Sequence, residues 1–308
     1  MGFGLTLYEI PAEVGAAMLE QAFPSREQYF HELCETPTMS WPALAFFLVG
    51  VMIMCASTYA AVQGVIPYGL AAVFNGFSIY LFFSMVHDAI HCSVCKNTRL
   101  NDIFGRISLF FLIPFAPLEI SRWIHLKHHA HTACENDPDN FMHHGKWWVL
   151  PIRWAFFDVF YTKYFLKELM EGDSVASRYA GAVAGYVAVL IAAVFGFVYF
   201  GLGYELFMLW FVASRIALGL TGFVFVFLPH HPADISSHDN KFAATTVRKG
   251  WEWLLTPLMG YHNYHLIHHL YPNVPFYNHL KIWHLKYDEI IAQNPAQQAA
   301  FGLRPVNR

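Results

Sequence analysis

Residues 41–86 read WPALAFFLVGVMIMCASTYAAVQGVIPYGLAAVFNGFSIYLFFSMV and contain no Asp, Glu, Lys or Arg. A helix needs about 20 mostly apolar residues to cross a bilayer, so this run is long enough for two spans. Gly64 and Pro67 near its centre are typical of a turn. The run therefore predicts a transmembrane helical hairpin, with spans at about 41–62 and 65–86.

The rest of the chain repeats this pattern. Residues 179–203 are uncharged, and residues 206–229 are interrupted only by Arg215. Only 13% of the 308 residues are charged, against about 25% in an average soluble domain. We therefore expect an all-α integral membrane protein with four spans in two hairpins. Residues 107–118 are apolar but too few to cross, and their two prolines favour an interfacial or re-entrant helix.

The distribution of Lys and Arg predicts the orientation. Neither predicted turn between spans, around 63–67 and 201–205, contains Lys or Arg, and Arg215 is the only one of the 19 basic residues inside a span. Basic residues are enriched on the cytoplasmic side of membrane proteins. Both termini and a helical cap formed by 87–178 and 230–294 should therefore face the cytoplasm.

Three further expectations concern the cysteines, nucleic-acid binding and the domain organisation. The chain has five cysteines, which cannot all pair, and those outside the spans would face a reducing cytoplasm, so we expect free thiols. The net charge of -3 is too small to indicate nucleic acid as a partner. Residues 1–308 are expected to form a single membrane domain, and the tail after Asn294 is expected to be a frayed end.

Histidine carries the chemical signal of this sequence. Of the 18 histidines, all except His31 follow the second predicted span. Residues three and four positions apart share one face of a helix, so closely spaced histidines can direct two or three ring nitrogens at one point. The grouped histidines are His87 and His91 in HDAIH, His125, His128 and His129 in HLKHH, His230 and His231 in LPHHP, and His265, His268 and His269 in HLIHH.

The number of imidazoles indicates more than one metal ion. An octahedral ion accepts about six ligands, some of them usually water or substrate, and the three main groups alone supply eight imidazoles. Two ions could use them all and keep open positions. Imidazole suits zinc, copper, iron and nickel alike, so the ligand type does not name the metal. No Glu has a His three residues later, unlike the di-iron carboxylate bundles.

Together these motifs resemble the membrane fatty acid desaturase superfamily, which also contains carotenoid hydroxylases and ketolases. HLKHHAHTACENDPDNF, FLPHHP and NYHLIHHLYPNVPFY are similar to its bacterial carotenoid hydroxylase and acyl desaturase branch. The resemblance covers about residues 87–277 and implies a non-haem di-iron oxygenase in a bacterial inner membrane, with O2 as co-substrate. It implies that the iron ligands are His87, His91, His125, His128, His129, His265, His268 and His269, with His230 preferred over His231 as an additional ligand.

The resemblance also implies the reaction class. Members use O2 and electrons to remove hydrogen from an unactivated C–H bond of a lipid, giving an alkene or an alcohol. A fatty acyl chain is the favoured substrate here, and the alternatives are a carotenoid hydroxylase or ketolase and a terminal-alkene-forming fatty acid decarboxylase. This sequence contains no cytochrome b5-like His-Pro-Gly-Gly segment and no four-cysteine iron site, so a separate ferredoxin-like or rubredoxin-like electron donor is expected.

Several other polar residues are candidates with a simpler alternative. Carboxylates close to the grouped histidines could hydrogen-bond to metal-binding imidazoles and so orient them. The segment NDPDN, however, is equally typical of a plain turn. Asn263 could bind iron through water or serve as a helix N-cap, and Arg215 could bind a substrate carboxylate or form a salt bridge. The candidates that could support ligands are Asp88, His131, Asp137, Asp139 and Asn263. The histidines expected at ordinary surface or interface positions are His143, His144, His238, His262, His279 and His284.

Two other functional classes fit less well. A metal transporter would bind its ion near the bilayer midplane, where the predicted spans carry no grouped ligands. A zinc-dependent membrane hydrolase would need about three protein ligands and would leave most of the histidines unexplained. The sequence therefore favours a membrane oxygenase over both.

Overall fold

The computed structural model describes residues 25–300 and 302–304, and these residues are mostly helical. The helices in chain order are α1 (Arg26–Cys34), α2 (Trp41–Val62), α3 (Tyr68–Ile90), α4 (Thr98–Leu112), α5 (Leu118–His131), α6 (Leu150–Ala155), α7 (Phe157–Met170), α8 (Ser174–Tyr199), α9 (Gly203–His230), α10 (Ser237–Asn240), α11 (Glu252–Leu258), α12 (His265–Leu270), α13 (His279–Leu285) and α14 (Tyr287–Ile291). The two strands are β1 (Thr246–Lys249) and β2 (Ala296–Ala299).

Contacts divide the described residues into two compact units. The span unit is Pro37–Leu228, and the C-terminal unit consists of the described residues up to Thr36 and from Pro229 onward. Four helices of the described chain, α2, α3, α8 and α9, are long and apolar enough to cross a membrane. The predicted four spans in two hairpins are thus confirmed.

Four of the predicted span boundaries differ from those observed. α3 begins after Pro67, which cannot donate a backbone hydrogen bond, and it continues past the predicted end at residue 86, so that His87 lies within the helix. α8 begins at Ser174 rather than 179, because Asp173 Oδ1 accepts hydrogen bonds from two backbone N–H groups of the first turn, at 2.8 and 3.0 Å. α9 begins at Gly203 rather than 206.

Within the span unit, α3 and α9 are packed on most sides, whereas α8 is not. More than half of the apolar stretch of α3 and of α9 is buried, but none of that of α8 is. Gly76 on α3 allows the close approach, because a Cβ there would lie 2.7 Å from Cγ2 of Ile216 on α9. Small residues at such crossings are typical of membrane helix packing. α8 therefore presents most of its surface to lipid.

α9 departs from α-helical geometry twice, with π-helical segments at Phe207–Val212 and Gly222–Phe227. Such segments disturb the regular hydrogen-bond ladder. Asn75 on α3 donates from Nδ2 to the carbonyl of Leu209 at 2.9 Å, inside the first of them. It also accepts a hydrogen bond from Ser57 on α2 at 2.6 Å. One buried amide thus connects three of the four spans.

The predicted helix at 107–118 differs from what is observed. α4 begins earlier, at Thr98, because the Asn97 side chain caps it, and it ends at Leu112 before Pro114. The next helix, α5, starts only after Pro117. α4 is amphipathic, with an exposed apolar stripe formed by Leu100, Ile103, Ile107 and Phe110. This stripe is the feature expected of an interfacial helix, so the interfacial position remains our prediction for α4.

The C-terminal unit contains a parallel two-stranded sheet, in which Thr246 pairs with Ala296 and Lys249 with Ala299. The prediction of a frayed end after Asn294 is therefore wrong for β2. Pairing between positions 50 residues apart leaves little local trace in a sequence. Arg248 is fully buried and donates from Nη1 to the carbonyl oxygens of Ala300 and Gly302, at 3.3 and 2.8 Å. It holds the chain that follows β2.

Candidate metal centre

The first histidine group lies in the span unit, where α3 ends. His87 and His91 are one turn apart, and their ring centroids are 5.1 Å apart. His125 on α5 faces both, with centroid distances of 5.0 and 4.9 Å. His129, one turn further along α5, brings its Nε2 to 3.1 Å from Nε2 of His125. We call these four residues the span-unit histidine group.

The second group lies in the C-terminal unit. His230 ends α9, and His265 and His269 are one turn apart on α12. Nε2 of His269 lies 3.2 Å from Nε2 of His230 and 3.1 Å from Nε2 of His265. We call these three residues the C-terminal histidine group. His268 adjoins it, with its ring centroid 5.1 Å from that of His265, whereas the carbonyl of His231 accepts a hydrogen bond from Gln298 at 2.6 Å.

The spacing of these nitrogens fits a metal ion. In a neutral imidazole, each ring nitrogen either donates one hydrogen bond or accepts one. Nε2 of His269 therefore cannot form good hydrogen bonds with both neighbouring rings at once. A bond of about 2.0 to 2.1 Å from a metal to each imidazole nitrogen would separate adjacent ligand atoms by roughly 3 Å. In each group, one ring nitrogen from each of three histidines lies within 4.8 Å of the others. The donor set of each group therefore suits a transition metal.

Two carboxylates orient His128, the remaining member of the histidine motif HLKHH in the span unit. Nδ1 of His128 lies 2.9 Å from Oδ1 of Asp137 and 3.4 Å from Oδ2 of Asp139. All three side chains are buried, and Tyr161 donates a hydrogen bond to Asp139 at 2.7 Å. A carboxylate that contacts one imidazole nitrogen orients the ring, and such pairs commonly support metal-binding histidines. The segment NDPDN therefore does more than form a turn.

The electrostatics of this group favour a protonated His128 when no metal is bound. Burial opposes a charge on His128, but the two carboxylates outweigh it and raise the pKa of His128 to about 9. Burial also opposes a charge on Asp137, but the contact with His128 outweighs it and lowers the pKa of Asp137. Burial and the neighbouring charge of Asp137 raise the pKa of Asp139 to about 6. Asp137 is thus the charged partner of the imidazole.

An apolar cavity of about 130 Å3 adjoins the span-unit histidine group. His125 and Ile124 of α5 form part of its wall, and α7 and Val183 and Val187 of α8 form another part. Its other lining residues are mostly apolar side chains from α3, α4, the segment between α4 and α5, and the start of α5. A cavity with mostly apolar walls and a few well-placed polar groups is the usual form of a small-molecule binding site.

Sequence comparison identifies the family. The profile described as Fatty acid desaturase matches residues 63–300, which is more than half of the chain. The chain belongs to the fatty acid desaturase family. This membership and the names of the relatives below indicate an oxidoreductase. The four apolar helices and the histidine groups fit a membrane desaturase-family oxygenase with a metal site.

Individual members of this desaturase family share about a quarter to a third of their residues with the chain. The Beta-carotene ketolase of Paracoccus sp. (strain PC1) is 30% identical over 200 residues, which cover 63% of this chain and 70% of the relative. The sn-1 oleoyl-lipid 12-desaturase of Anabaena variabilis is 27% identical over 245 residues, or 70% and 54% of the two chains. The Dihydrorhizobitoxine desaturase of Bradyrhizobium elkanii is 27% identical over 235 residues, or 68% and 65%.

Two histidines of this desaturase fold were missed by sequence reasoning. His262 and His279 were expected at the surface or an interface, but both are about 1% exposed. Their ring centroids lie 5.6 and 5.7 Å from that of His268. Burial lowers the pKa of His262 to about 4 although its Nδ1 contacts the carbonyl of Gly260 at 2.9 Å. His262 precedes His265 by three residues, and this spacing was the available signal.

The expectations for the other four histidines have mixed outcomes. His143 is also buried, and its ring stacks 6.2 Å from that of Phe227, which contradicts the expected surface position. Its position beside an apolar π-helical segment could not be read from local sequence. The histidines that are exposed as expected are His144, His238 and His284.

The remaining candidates occupy defined positions in the desaturase fold. Asp88 is buried beside His87 on α3, and His131 is the last residue of α5 and lines a separate polar cavity. Asn263 is not an N-cap, because α12 begins after Tyr264, which takes the cap position. Instead, Asn263 donates from Nδ2 to Oγ1 of Thr256 at 3.1 Å.

Arg215 has a partner that the sequence did not identify. Both ends of its guanidinium contact the carboxylate of Asp158 on α7, at 2.8 Å each. Its Cζ also lies 5.1 and 5.3 Å from the ring centroids of Phe156 and Phe211. The ion pair accounts for a charge within a span, since such charges in membranes are usually paired.

Proposed function

We propose that this protein is a membrane di-iron oxygenase that uses O2 and external electrons to desaturate or hydroxylate an unactivated C–H position of a lipid, most simply a fatty acyl chain. The observation that carries the proposal is the apolar cavity that ends at His125, within a group of converging imidazoles. An apolar pocket fits a hydrocarbon, and a nitrogen-rich metal site beside it fits redox chemistry on that hydrocarbon.

The residues that would hold the irons are the two histidine groups. We assign one ion to the span-unit group and one to the C-terminal group, with His128 and His268 as further ligands. Bound iron would supply the activation of O2 to an oxidant able to take hydrogen from a C–H bond. Iron is proposed on the strength of family membership, because imidazole ligands alone also suit zinc or copper.

The chain itself contributes orientation and the exclusion of water. When a metal is bound, Asp137 would accept a hydrogen bond from Nδ1 of His128 and so direct Nε2 toward the metal. The apolar wall formed by side chains such as Ile124, Leu112 and Phe165 excludes water from the cavity. A single hydrocarbon segment confined there presents few carbons to the metal site, and such confinement is the protein's usual contribution to regioselectivity.

A carotenoid ketolase or hydroxylase is the second candidate, because two relatives are named Beta-carotene ketolase, at 30% and 28% identity. The size of the cavity favours an acyl chain. A cavity of 150 Å3 holds about one benzene molecule, and the present one is about 130 Å3. The substituted cyclohexenyl ring of a carotenoid is larger than benzene. A terminal-alkene-forming decarboxylase shares the same site requirements and remains the third candidate.

We further propose that the metal-binding side faces the cytoplasm of a bacterial inner membrane. The turns between α2 and α3 and between α8 and α9 contain no Lys or Arg, which supports this orientation. Electrons would come from a separate ferredoxin-like or rubredoxin-like protein on that side. Labelling of single cysteines placed at Gly64 or Gly201, in right-side-out vesicles, tests the orientation. Reaction with a membrane-impermeant reagent is expected, and full protection would overturn it.

The proposed function is tested by metal analysis and lipid profiling together. The purified protein is expected to contain about two irons, and expression in a host with a donor system should produce O2-dependent changes in acyl chains. The variant His125→Ala should abolish these changes, and the exposed His144→Ala is the matched control. A single zinc, or a changed carotenoid profile with unchanged acyl chains, would contradict the iron or the acyl assignment respectively.

A further inference from the structure

We propose that the substrate enters the apolar cavity sideways from the bilayer, beside α8, so that the enzyme acts on acyl chains of lipids dissolved in the membrane. This proposal deepens the proposed function and rests on it. It names the substrate class as a membrane lipid with an acyl chain, and it separates this class from a water-soluble acyl thioester that would arrive from the aqueous side.

The first argument is the position of the outer end of the cavity. Its wall runs from His125 and Ile124, which are on α5, to Val183 and Val187 on α8. Val183 is half-buried and Val187 is 37% exposed, so the lining passes from the protein interior to the surface of a helix. α8 is a candidate membrane span with none of its apolar stretch buried. The surface at Val187 is therefore covered by lipid chains in a bilayer.

The second argument is the chemistry of the wall. Three of the polar side chains that line the cavity are engaged by other protein groups. Asp158 is paired with Arg215, Tyr161 donates to Asp139, and Thr162 Oγ1 donates to the carbonyl of Asp158 at 2.8 Å. Among the described lining residues there is no Lys or Arg that could receive a carboxylate or phosphate. The occupant must therefore be hydrocarbon along its whole length.

The third argument is a charged pair next to a residue that lines the cavity. Arg106 on α4 contacts Glu119 at 2.6 Å, and Glu119 is followed directly by Ile120, a lining residue. Charged side chains are strongly disfavoured in the hydrocarbon core and are found near the interface or paired. A lipid whose headgroup stays beside this ion pair can insert one acyl chain into the cavity.

The volume of the cavity also suits a segment of one acyl chain. A volume of about 130 Å3 corresponds to a body of roughly six carbon atoms, by comparison with a cavity of about 150 Å3 that binds benzene. A headgroup could not follow a chain into this space. The headgroup thus remains outside, in agreement with a lipid that stays in the bilayer during the reaction.

The experiment uses the full chain in liposomes that contain a phosphatidylcholine with a diazirine on one acyl chain. After illumination, cross-linked peptides are mapped by mass spectrometry. The wild type is expected to be labelled at cavity residues such as Ile124 and Phe165. Val187→Trp should fill the outer end and cause the loss of these cross-links, whereas Val189→Trp, on the same helix but outside the lining, should retain them.

A variant with the opposite expected effect guards against misfolding. Val187→Ala widens the outer end and should increase labelling of the same peptides. Unchanged labelling in both Val187 variants would overturn the proposal. Labelling of the cavity by a diazirine acyl-CoA added in solution, without labelling by the phospholipid, would overturn it as well.

The same preparations distinguish this proposal from the proposed function. Iron content and O2-dependent turnover of the liposome lipids are measured beside the cross-links. Cross-links without iron or turnover would leave lateral entry standing and contradict the oxygenase. Iron and turnover without lipid cross-links in the cavity would support the oxygenase and contradict lateral entry.

Discussion

At the residue scale, the orientation of a metal-binding imidazole depends on hydrogen bonds from residues that do not themselves bind the metal. Asp137 accepts from three groups at once: the His128 ring at 2.9 Å and the backbone N–H groups of Ala133 and Asp139, at 2.7 and 2.9 Å. The carboxylate is thus fixed by the backbone of the loop and in turn fixes His128. Such supporting partners of metal ligands are part of a metal site.

Replacement of this carboxylate tests its role. Asp137→Asn keeps the shape of the side chain but removes the charge that holds the proton on His128. We expect iron affinity or activity to fall by about 10- to 100-fold, measured as iron content after dialysis and as turnover. The exposed Glu171→Gln is the control. Equal iron retention in Asp137→Asn and the wild type would show that His128 needs no such partner.

The pair Arg215–Asp158 gives a second prediction at this scale. Both side chains are largely buried, so removal of one partner leaves an unpaired charge and should destabilise the protein by about 3 to 5 kcal/mol. The double variant Arg215→Met/Asp158→Leu should recover most of the loss. Thermal unfolding in detergent measures both effects. If the double variant regains stability but not turnover, Arg215 also has a role toward the substrate.

At the scale of elements, close approach between helices depends on particular glycines. A Cβ at Gly76 would lie 2.8 Å from Cβ of Ile216 and 3.1 Å from the carbonyl of Ala213, so α3 and α9 would have to separate. A Cβ at Gly185 on α8 would meet nothing within 4 Å. The same substitution therefore has opposite consequences on two spans.

Gly76→Ala is expected to lower stability by about 1 to 3 kcal/mol through overpacking. Gly185→Ala is the matched control and should be neutral or slightly stabilising, because Ala has the higher helix propensity. Thermal unfolding of the two variants in the same detergent measures the difference. Similar shifts in both would mean that α3 and α9 are not in contact at Gly76.

The charged link between α4 and α5 predicts a pH dependence of stability. Burial alone would raise the pKa of Asp102, but hydrogen bonds from Arg122 and Asn101 outweigh it and lower the pKa. Arg122 also donates to the carbonyls of Ala89 and Ile90 at the end of α3, at 2.8 and 2.9 Å. A carboxyl group with a lowered pKa stabilises the fold above its usual pKa of about 4 and loses this contribution as pH falls.

We therefore expect Asp102→Asn to reduce the melting temperature at pH 7. The difference from the wild type should shrink as pH falls below about 4, because the wild-type carboxyl then becomes protonated. Melting curves of both proteins between pH 7 and pH 3 measure it. A difference that is constant over this range would show that the charge of Asp102 contributes nothing.

At the scale of the whole molecule, the metal ions are expected to contribute to folding. Converging imidazoles exist only in the folded chain, so an ion that binds them favours the folded state. Removal of iron by a chelator should lower the melting temperature and abolish turnover, and added Fe2+ should restore both. Zn2+ is the control, because it should restore stability but not turnover. Recovery of turnover with Zn2+ would contradict the redox assignment.

Local sequence determined the membrane-spanning helices of this protein and the grouping of its histidines. The uncharged run at 41–86 dictated the first hairpin because a span is defined by its length and apolarity alone. The spacing of His87 and His91 dictated a shared helix face in the same way. These properties depend on neighbours a few residues away.

The tertiary structure decided everything that depends on distant partners. β2 was missed because its partner β1 lies 50 residues earlier, and the salt bridge of Arg215 was left open because Asp158 lies 57 residues earlier. The burial of His262 and His279 follows from packing in the C-terminal unit. The cavity beside His125 is formed by side chains of several helices. A sequence pattern records local periodicity, whereas burial, pairing and empty space are properties of segments brought together by folding.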